Sequence, residues 1–472
     1  MSTPRASYPR LFPEPDQTIA GIGRALREGS ISCVEILQQC LDQVDEWEPK
    51  VRAWVVLDRD GAIQQARTLD SELKAGHDRG PLHGIPIGIE DIIDVAGLPT
   101  ACGAKRWVDR IAKQDANVVA NLRAAGAVIM GKTVTTPYAW IDPPITRNPW
   151  NLERTPGGSS SGSAAAVACG MCFGAIGTQT GGSITRPASF CGVAGLKPSK
   201  WNPDQSVFDG VKPFAPSLDH VGPIARTVED LRTLYLNMLS PDARVWGMIT
   251  PGLEGPPRIG RLRGFFDRKA DPAILLTLEE AARVLKSSGA RFIDQDDPLN
   301  FEEIIRDHRT IMAVEASIIH AKDADKFPDD YPPRIRELID EGLASGDPTR
   351  LDIRDRMMSF LQGRPAGTAA FLETQNRRYV ALNATLKALR ESESDVWITP
   401  ATVGTAPDPS TTGDPSFNSP WSYTGLPTVS LPIGLSPEGM PIAVQLVGNV
   451  HGDFELLRVA IWCEQAIRTA RQ

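Results

Sequence analysis

The chain has 472 residues, 41% of them apolar and 23% charged, and a formal net charge of −8. That balance is ordinary for a globular protein with a large core, and the lack of a long basic run speaks against a nucleic-acid surface. The longest apolar run, around 164–176, is too short to span a bilayer. Seven cysteines without a disulfide rhythm fit free thiols in a reducing, cytoplasmic setting.

Residues 1–16, MSTPRASYPRLFPEPD, hold four prolines and no apolar signal-peptide core, and read as a Pro-rich arm. Thr18 predicts the cap of a short helix ending at Gly29, and Ser32 with Glu35 predicts a capping box opening a second helix towards Trp47. Val51–Leu57 reads as a strand and Gly61–Ala75 as an amphipathic helix. The apolar run Ile85–Ile89 predicts a buried strand that carries Glu90 into the interior. Asn117–Ala125 reads as a helix stopped by Gly126, with the strand Ala127–Met130 behind it. This alternation predicts an α/β sheet with helices on both faces. Between Thr133 and Asn151 runs a loop rich in proline and aromatics, whose Tyr138, Trp140 and Ile141 are candidates for an apolar pocket wall. Anchoring a surface loop would use the same residues.

Next come two turns of small residues, GGSSSGS from Gly157 to Ser163 and GTQTGGS from Gly177 to Ser183, with an almost wholly apolar segment between them. Glycine lets other groups approach the backbone closely, so such turns present hydroxyls and bare N–H groups at one point. A flexible linker has the same composition, but a linker does not adjoin apolar runs such as Ala164–Ala168 and Phe190–Leu196. The pattern predicts two serine turns joined by one short buried helix. Cys169 and Cys172 form a C-x-x-C on that segment with no second pair or histidine cluster nearby, and read as buried core rather than a metal or redox site.

From Thr155 to Ser199, through both turns and on into FCGVAGLKPS, the chain resembles the amidase signature family of serine hydrolases that cleave amide and related C–N bonds. The resemblance implies a single domain over 1–472 with a central mixed β-sheet flanked by helices. It implies that Ser183 is the nucleophile and Ser159 the bridging serine with a cis peptide bond. It also implies an oxyanion hole made by the backbone N–H groups of Thr180, Gly181, Gly182 and Ser183. The hydroxyls of Ser183 and Ser159 are then expected within hydrogen-bonding reach. The third member of that set is a lysine in a motif of the type GIPxGxKD; this chain reads GIPIGIED, with Glu90 at the lysine's place.

Beyond the signature, Ser217–Leu231 fits the family again and contains His220, but the family's catalytic set holds no histidine. The six histidines show no metal-ligand spacing, so neither metal nor cofactor is expected. Residues 240–395 match least and read as a variable helical layer: Pro272–Ser288, a strand Ala290–Ile293, then Phe301–His320, Pro348–Gln362 and Thr368–Leu389, the last two split by Gly363-Arg364-Pro365. The recognisable pattern returns with the strand Val396–Pro400, then Trp421–Pro432, Ile442–Gly448 and a final helix.

Amide hydrolysis needs a deprotonated nucleophile, donors for the oxyanion and an acid for the departing nitrogen. Glutamate, with an ordinary pKa near ~4.3 against ~10.4 for lysine, is the weaker base, although burial would raise it. Three explanations of Glu90 stay open: a substitution that silences the enzyme, a natural change leaving a ligand-binding protein on an amidase scaffold, or an active variant with Glu90 as base. An amidotransferase A-type subunit is a further alternative, against which the short Tyr138–Pro144 loop speaks. The partners expected are a small-molecule amide, ester or carbamate substrate and a second copy in a homodimer, with no nucleic acid and no membrane.

Overall fold

The computed structural model describes residues 8–201, 204–250, 252–345 and 369–471. Local signals set its first elements. Thr18 accepts from the Gly21 N–H to start the helix Ile19–Arg27, and Ser32 and Glu35 form the capping box of Cys33–Val51. That helix continues a turn past Trp47 and through Pro49, so the strand expected over 51–57 shrinks to Trp54–Leu57. The Glu48 carboxylate is the reason, because it accepts from both the Ala53 and Trp54 N–H groups and so closes the helix end.

Eleven strands form one mixed sheet: β1 Trp54–Leu57, β2 Pro86–Glu90, β3 Val128–Thr133, β4 Gly174–Gln179, β5 Ala194–Lys197, β6 His220–Ala225, β7 Arg258–Leu262, β8 Arg291–Gln295, β9 Val396–Pro400, β10 Thr428–Leu435 and β11 Pro441–Val447. Their order is β1-β3-β2-β4-β6-β5-β10-β11-β9-β7-β8. β2 runs parallel to both β3 and β4, and β7 runs parallel to β8 and β9. Side chains alternate between sheet faces, which Gly174 and Gly177 of β4 make visible. A Cβ at Gly174 would meet Leu234 of the helix Val228–Met238, and one at Gly177 would meet Ser160 at the head of the helix Ser161–Ala168. The sheet therefore carries the first helix on one face and the serine turn with its helix on the other.

The segment 164–176 is not a single helix. Its first part completes Ser161–Ala168, and its last part begins β4. Gly170 divides them, with φ +68° and a Schellman closure in which Gly170 N–H bonds the Val167 carbonyl and Met171 N–H the Ala166 carbonyl. Cys169 and Cys172 lie at and just beyond this closure, buried and free.

The stretch 240–395 is less purely helical than its composition suggests. It supplies β7 and β8 to the sheet edge, besides the helices Pro272–Ser287, Phe301–Lys326, Pro333–Ser345 and Ala369–Glu391. The helix expected at 348–362, the breaker 363–365, Thr368 and the first seven residues of the arm lie outside the described residues.

The helix Ser161–Ala168 lies flush on the sheet because of Gly162. A Cβ there would stand 2.2 Å from the Ala53 carbonyl oxygen and 2.4 Å from the Val134 nitrogen, while the Gly162 N–H donates to the Val134 carbonyl at 2.9 Å. Gly162→Ala must push the helix, and the serine turn before it, off the strand. Urea unfolding should show a loss of about 1–3 kcal/mol, the usual cost of overpacking.

Candidate active site

β2 ends at Glu90 between two parallel neighbours, and the carboxyl is fully buried, at 0% exposure. It is caged by hydroxyls. Thr135 Oγ1 donates to Oε1 at 2.8 Å, while Ser160 Oγ and Thr178 Oγ1 donate to Oε2 at 3.0 and 2.9 Å. Ser159 Oγ lies 3.5 Å from Oε1. Burial disfavours the charged carboxylate and pushes Glu90 up to about 7, against the pull of the hydrogen bonds from Thr135, Thr178 and Ser160.

Lys132, Lys197 and Lys105 do not take the place of the lysine in the family's motif. Lys132 is equally buried, but its Nζ is held by Asp91 at 3.3 Å, Thr100 Oγ1 at 3.0 Å and the Pro99 carbonyl at 3.1 Å. Lys197 faces the Pro198 carbonyl and His220, and Lys105 is exposed.

The two serine turns meet above the ends of β2 and β4. Ser160 N–H donates to the Ser183 carbonyl at 3.2 Å, and the Gly158–Ser159 peptide bond is cis. Arg186, three residues after Ser183 and 1% exposed, donates from Nη2 to the Gly158 carbonyl at 2.8 Å and to Thr412 Oγ1 at 3.1 Å. Among the described residues no hydrogen bond joins the Ser159 and Ser183 hydroxyls, contrary to expectation: Ser159 Oγ turns to the carboxyl of Glu90 instead. A carboxylate only accepts, so it draws a nearby hydroxyl towards itself.

Ser183 is 8% exposed. The N–H groups of Thr180, Gly181, Gly182 and Ser183 have no acceptor among the described residues. The next two, of Ile184 and Thr185, both donate to Gln179 Oε1 at 2.9 Å. The unclaimed amides of this turn are thus confined to the four positions where an oxyanion hole was expected.

The loop after β3 touches the same point, since Thr136 N–H donates to the Ser159 carbonyl at 3.2 Å. Tyr138, at φ +52°, turns inwards and stacks on Tyr331 at 4.3 Å, and Trp140 stacks on Phe214 at 5.4 Å. Trp140 Nε1 donates to the Arg334 carbonyl, and Arg334 donates back to the Ile141 carbonyl, both at 3.1 Å. These aromatics therefore fasten the loop to Tyr331 and to Arg334 of the helix Pro333–Ser345.

Thr135, Ser160, Thr178 and Arg186 were not singled out from the sequence. Only Ser160 carried a usable signal, by adjoining Ser159; Thr135 comes from the loop after β3, Thr178 from β4 and Arg186 from the helix Thr185–Cys191. No group of three or more His, Cys, Asp or Glu side chains among the described residues could hold a metal ion. No described helix is long and apolar enough to cross a membrane.

The chain is similar to known proteins along nearly its whole length. A family model described as Amidase matches residues 35–457. The A-type subunit of the glutamyl-tRNA(Gln) amidotransferase of Symbiobacterium thermophilum is 34% identical over 479 aligned residues, covering 95% of this chain and 96% of that protein. A crystal structure of an amidase superposes with a TM-score of 0.81 at 28% identity, covering 95% of this chain and 99% of the other. The native peptide amidase of Stenotrophomonas maltophilia does so with a TM-score of 0.76 at 26% identity, covering 97% and 98%. From residue 35 to residue 457, with both serine turns inside that span, the chain belongs to the amidase family.

Proposed function

We propose that the chain is an amidase-type serine hydrolase of small neutral amides, anilides, esters or carbamates, in which Ser183 attacks the carbonyl carbon. Ser159 carries the proton between Ser183 and Glu90, and the unclaimed N–H groups of residues 180–183 receive the oxyanion. The observation that carries this reading is the junction of the two turns, where Ser160 N–H bonds the Ser183 carbonyl, the four amides of 180–183 are unclaimed, and the buried Glu90 carboxyl lies 3.5 Å from Ser159. An oxyanion hole contributes about 10²–10³ in rate per donor, so the site retains much of its chemistry even with a weak base. Glu90 near pH 7 is partly protonated, which allows it to take and return a proton while slowing the first step.

A serine-directed fluorophosphonate tests the nucleophile. Labelling should map to Ser183 in the native chain, proceed faster in Glu90→Lys and vanish in Ser183→Ala. No labelling of Ser183 in either chain would refute the reading.

A second reading rests on the 34% identity, along nearly the whole chain, to the A-type component of an amidotransferase. In that case the protein works with partner subunits and depends on glutamine. Co-purifying chains and glutamine-dependent turnover would establish it, and turnover of anilides by the isolated chain would not require it.

A further inference from the structure

The carbonyls of the turn before Ser183 are all bonded, although among the described residues its N–H groups are not. The Gln179 carbonyl accepts from His220 Nδ1 at 3.2 Å. The Thr180 carbonyl accepts from His308 Nε2 at 2.9 Å. The Gly181 carbonyl accepts from Ser422 Oγ at 2.9 Å and from Gln179 Nε2 at 3.1 Å. The Gly182 carbonyl accepts from the Arg186 N–H at 2.9 Å. These four carbonyls belong to the same peptide units as the N–H groups of Thr180, Gly181, Gly182 and Ser183, which have no acceptor among the described residues.

A trans peptide is planar, with its C=O and N–H pointing in opposite directions. Pinning the oxygen on one side therefore aims the N–H to the other. Hydrogen bonding at the oxygen also polarises the unit and strengthens its N–H as a donor. The side-chain donors come from four separate places: β6, the helix Phe301–Lys326, the helix Ser419–Thr424 and the Gln179 side chain. Their convergence on one four-residue turn is the product of tertiary structure.

Both imidazoles hold the tautomer this needs. A carbonyl oxygen only accepts, so His220 carries its proton on Nδ1 and His308 on Nε2. Lys197 Nζ, 3.2 Å from His220 Nε2, donates to that nitrogen and favours the same tautomer. Burial, with Lys197 and Lys200 nearby, holds His220 well below the usual histidine range, and burial pulls His308 down to about 4. Both are neutral donors at neutral pH.

We infer that His220, His308 and Ser422 are positioning residues that lock the peptide units of the nucleophile turn so that their N–H groups face the developing oxyanion. This rests on the serine-hydrolase reading above. It gives the variable stretch 240–395 a chemical part, since His308 belongs to it.

The test uses the full chain with Glu90→Lys as parent, and measures the fluorophosphonate labelling rate at Ser183 together with kcat and KM on a chromogenic anilide. His308→Leu removes the donor, whereas His308→Gln places an amide N–H where Nε2–H stood. His308→Leu should slow labelling about tenfold or more and lower kcat with KM unchanged, and His308→Gln should recover most of the loss. Ser422→Ala, a one-atom change that leaves Gln179 Nε2 on the same carbonyl, should slow labelling about threefold. Labelling at the parent rate in a folded His308→Leu overturns the inference, as does a His308→Gln no better than leucine. Should His308→Leu not fold, an unchanged rate in Ser422→Ala overturns it. Failure of both the parent and the native chain to label is a separate result, which removes the serine-hydrolase reading; if only the native chain labels, the same variants are read in it.

Discussion

Glu90→Lys should raise amide hydrolysis by about 10²–10⁴-fold, the range associated with a matched acid–base group. The site can take the change. Its cage is built of hydroxyls from Thr135, Ser160 and Thr178, and a hydroxyl donates to a carboxylate or accepts from an ammonium by rotation alone. A desolvated lysine is pushed towards its neutral form, and a neutral amine is a far stronger base than a carboxylate. Ser159 Oγ, now drawn to Glu90, would give its proton to that amine and take one from Ser183. The measurement is kcat/KM on a panel of anilides, esters and carbamates for the native chain, Glu90→Lys, and Glu90→Lys combined with Ser183→Ala. Turnover should rise in the single variant and fall to background in the double. Equal rates in native chain and single variant would mean that residue 90 has no part in proton transfer.

The second large effect is on stability. Burial raises the Glu90 carboxyl from its ordinary 4.5 to about 7. Below about pH 4.5 the carboxyl is protonated in both the folded and unfolded chain, and pH makes no difference. Between there and pH 7 the unfolded chain loses the proton while the fold retains it, so stability falls as pH rises; above about pH 7 the loss is complete. A shift of this size, at about 1.36 kcal/mol per unit, is worth about 3 kcal/mol. Glu90→Gln fills the same space without titrating. Native chain and variant should unfold at similar urea concentrations at pH 4.5 and separate by about 3 kcal/mol at pH 8.5, with glutamine the more stable. Burial also raises Asp230 and Glu464, to about 6 and about 8, but both are shared by the two chains and cancel in the difference. A gap that does not change with pH would show that the fold does not raise the Glu90 carboxyl above its ordinary value.

Much of this site could be read along the chain because its parts are local. The cap at Thr18, the box at Ser32, the buried strand leading into Glu90 and the two serine turns each depend on residues a few positions apart, and all appear in the fold. Errors arose where a short-range signal was overridden or overlooked. The Glu48 carboxylate extended a helix into an expected strand, and Gly170 cut an apolar segment into a helix and a strand. The strand β7, one in from the edge strand β8, lay hidden in a stretch that reads as helical.

By itself the sequence determined the family, the α/β class, and the identity and spacing of Ser159, Ser183 and Glu90. These follow from covalent order, which turns of glycine and serine make conspicuous. Only the tertiary structure decided what surrounds them: the burial that raises Glu90 to about 7 against the pull of its hydroxyl cage, the turning of Ser159 towards it, and the ring of donors from His220, His308 and Ser422 behind the Ser183 turn. Those contacts join residues dozens to hundreds of positions apart. Hydrogen-bond geometry and desolvation are properties of the packed interior, and they have no counterpart in the order of residues alone.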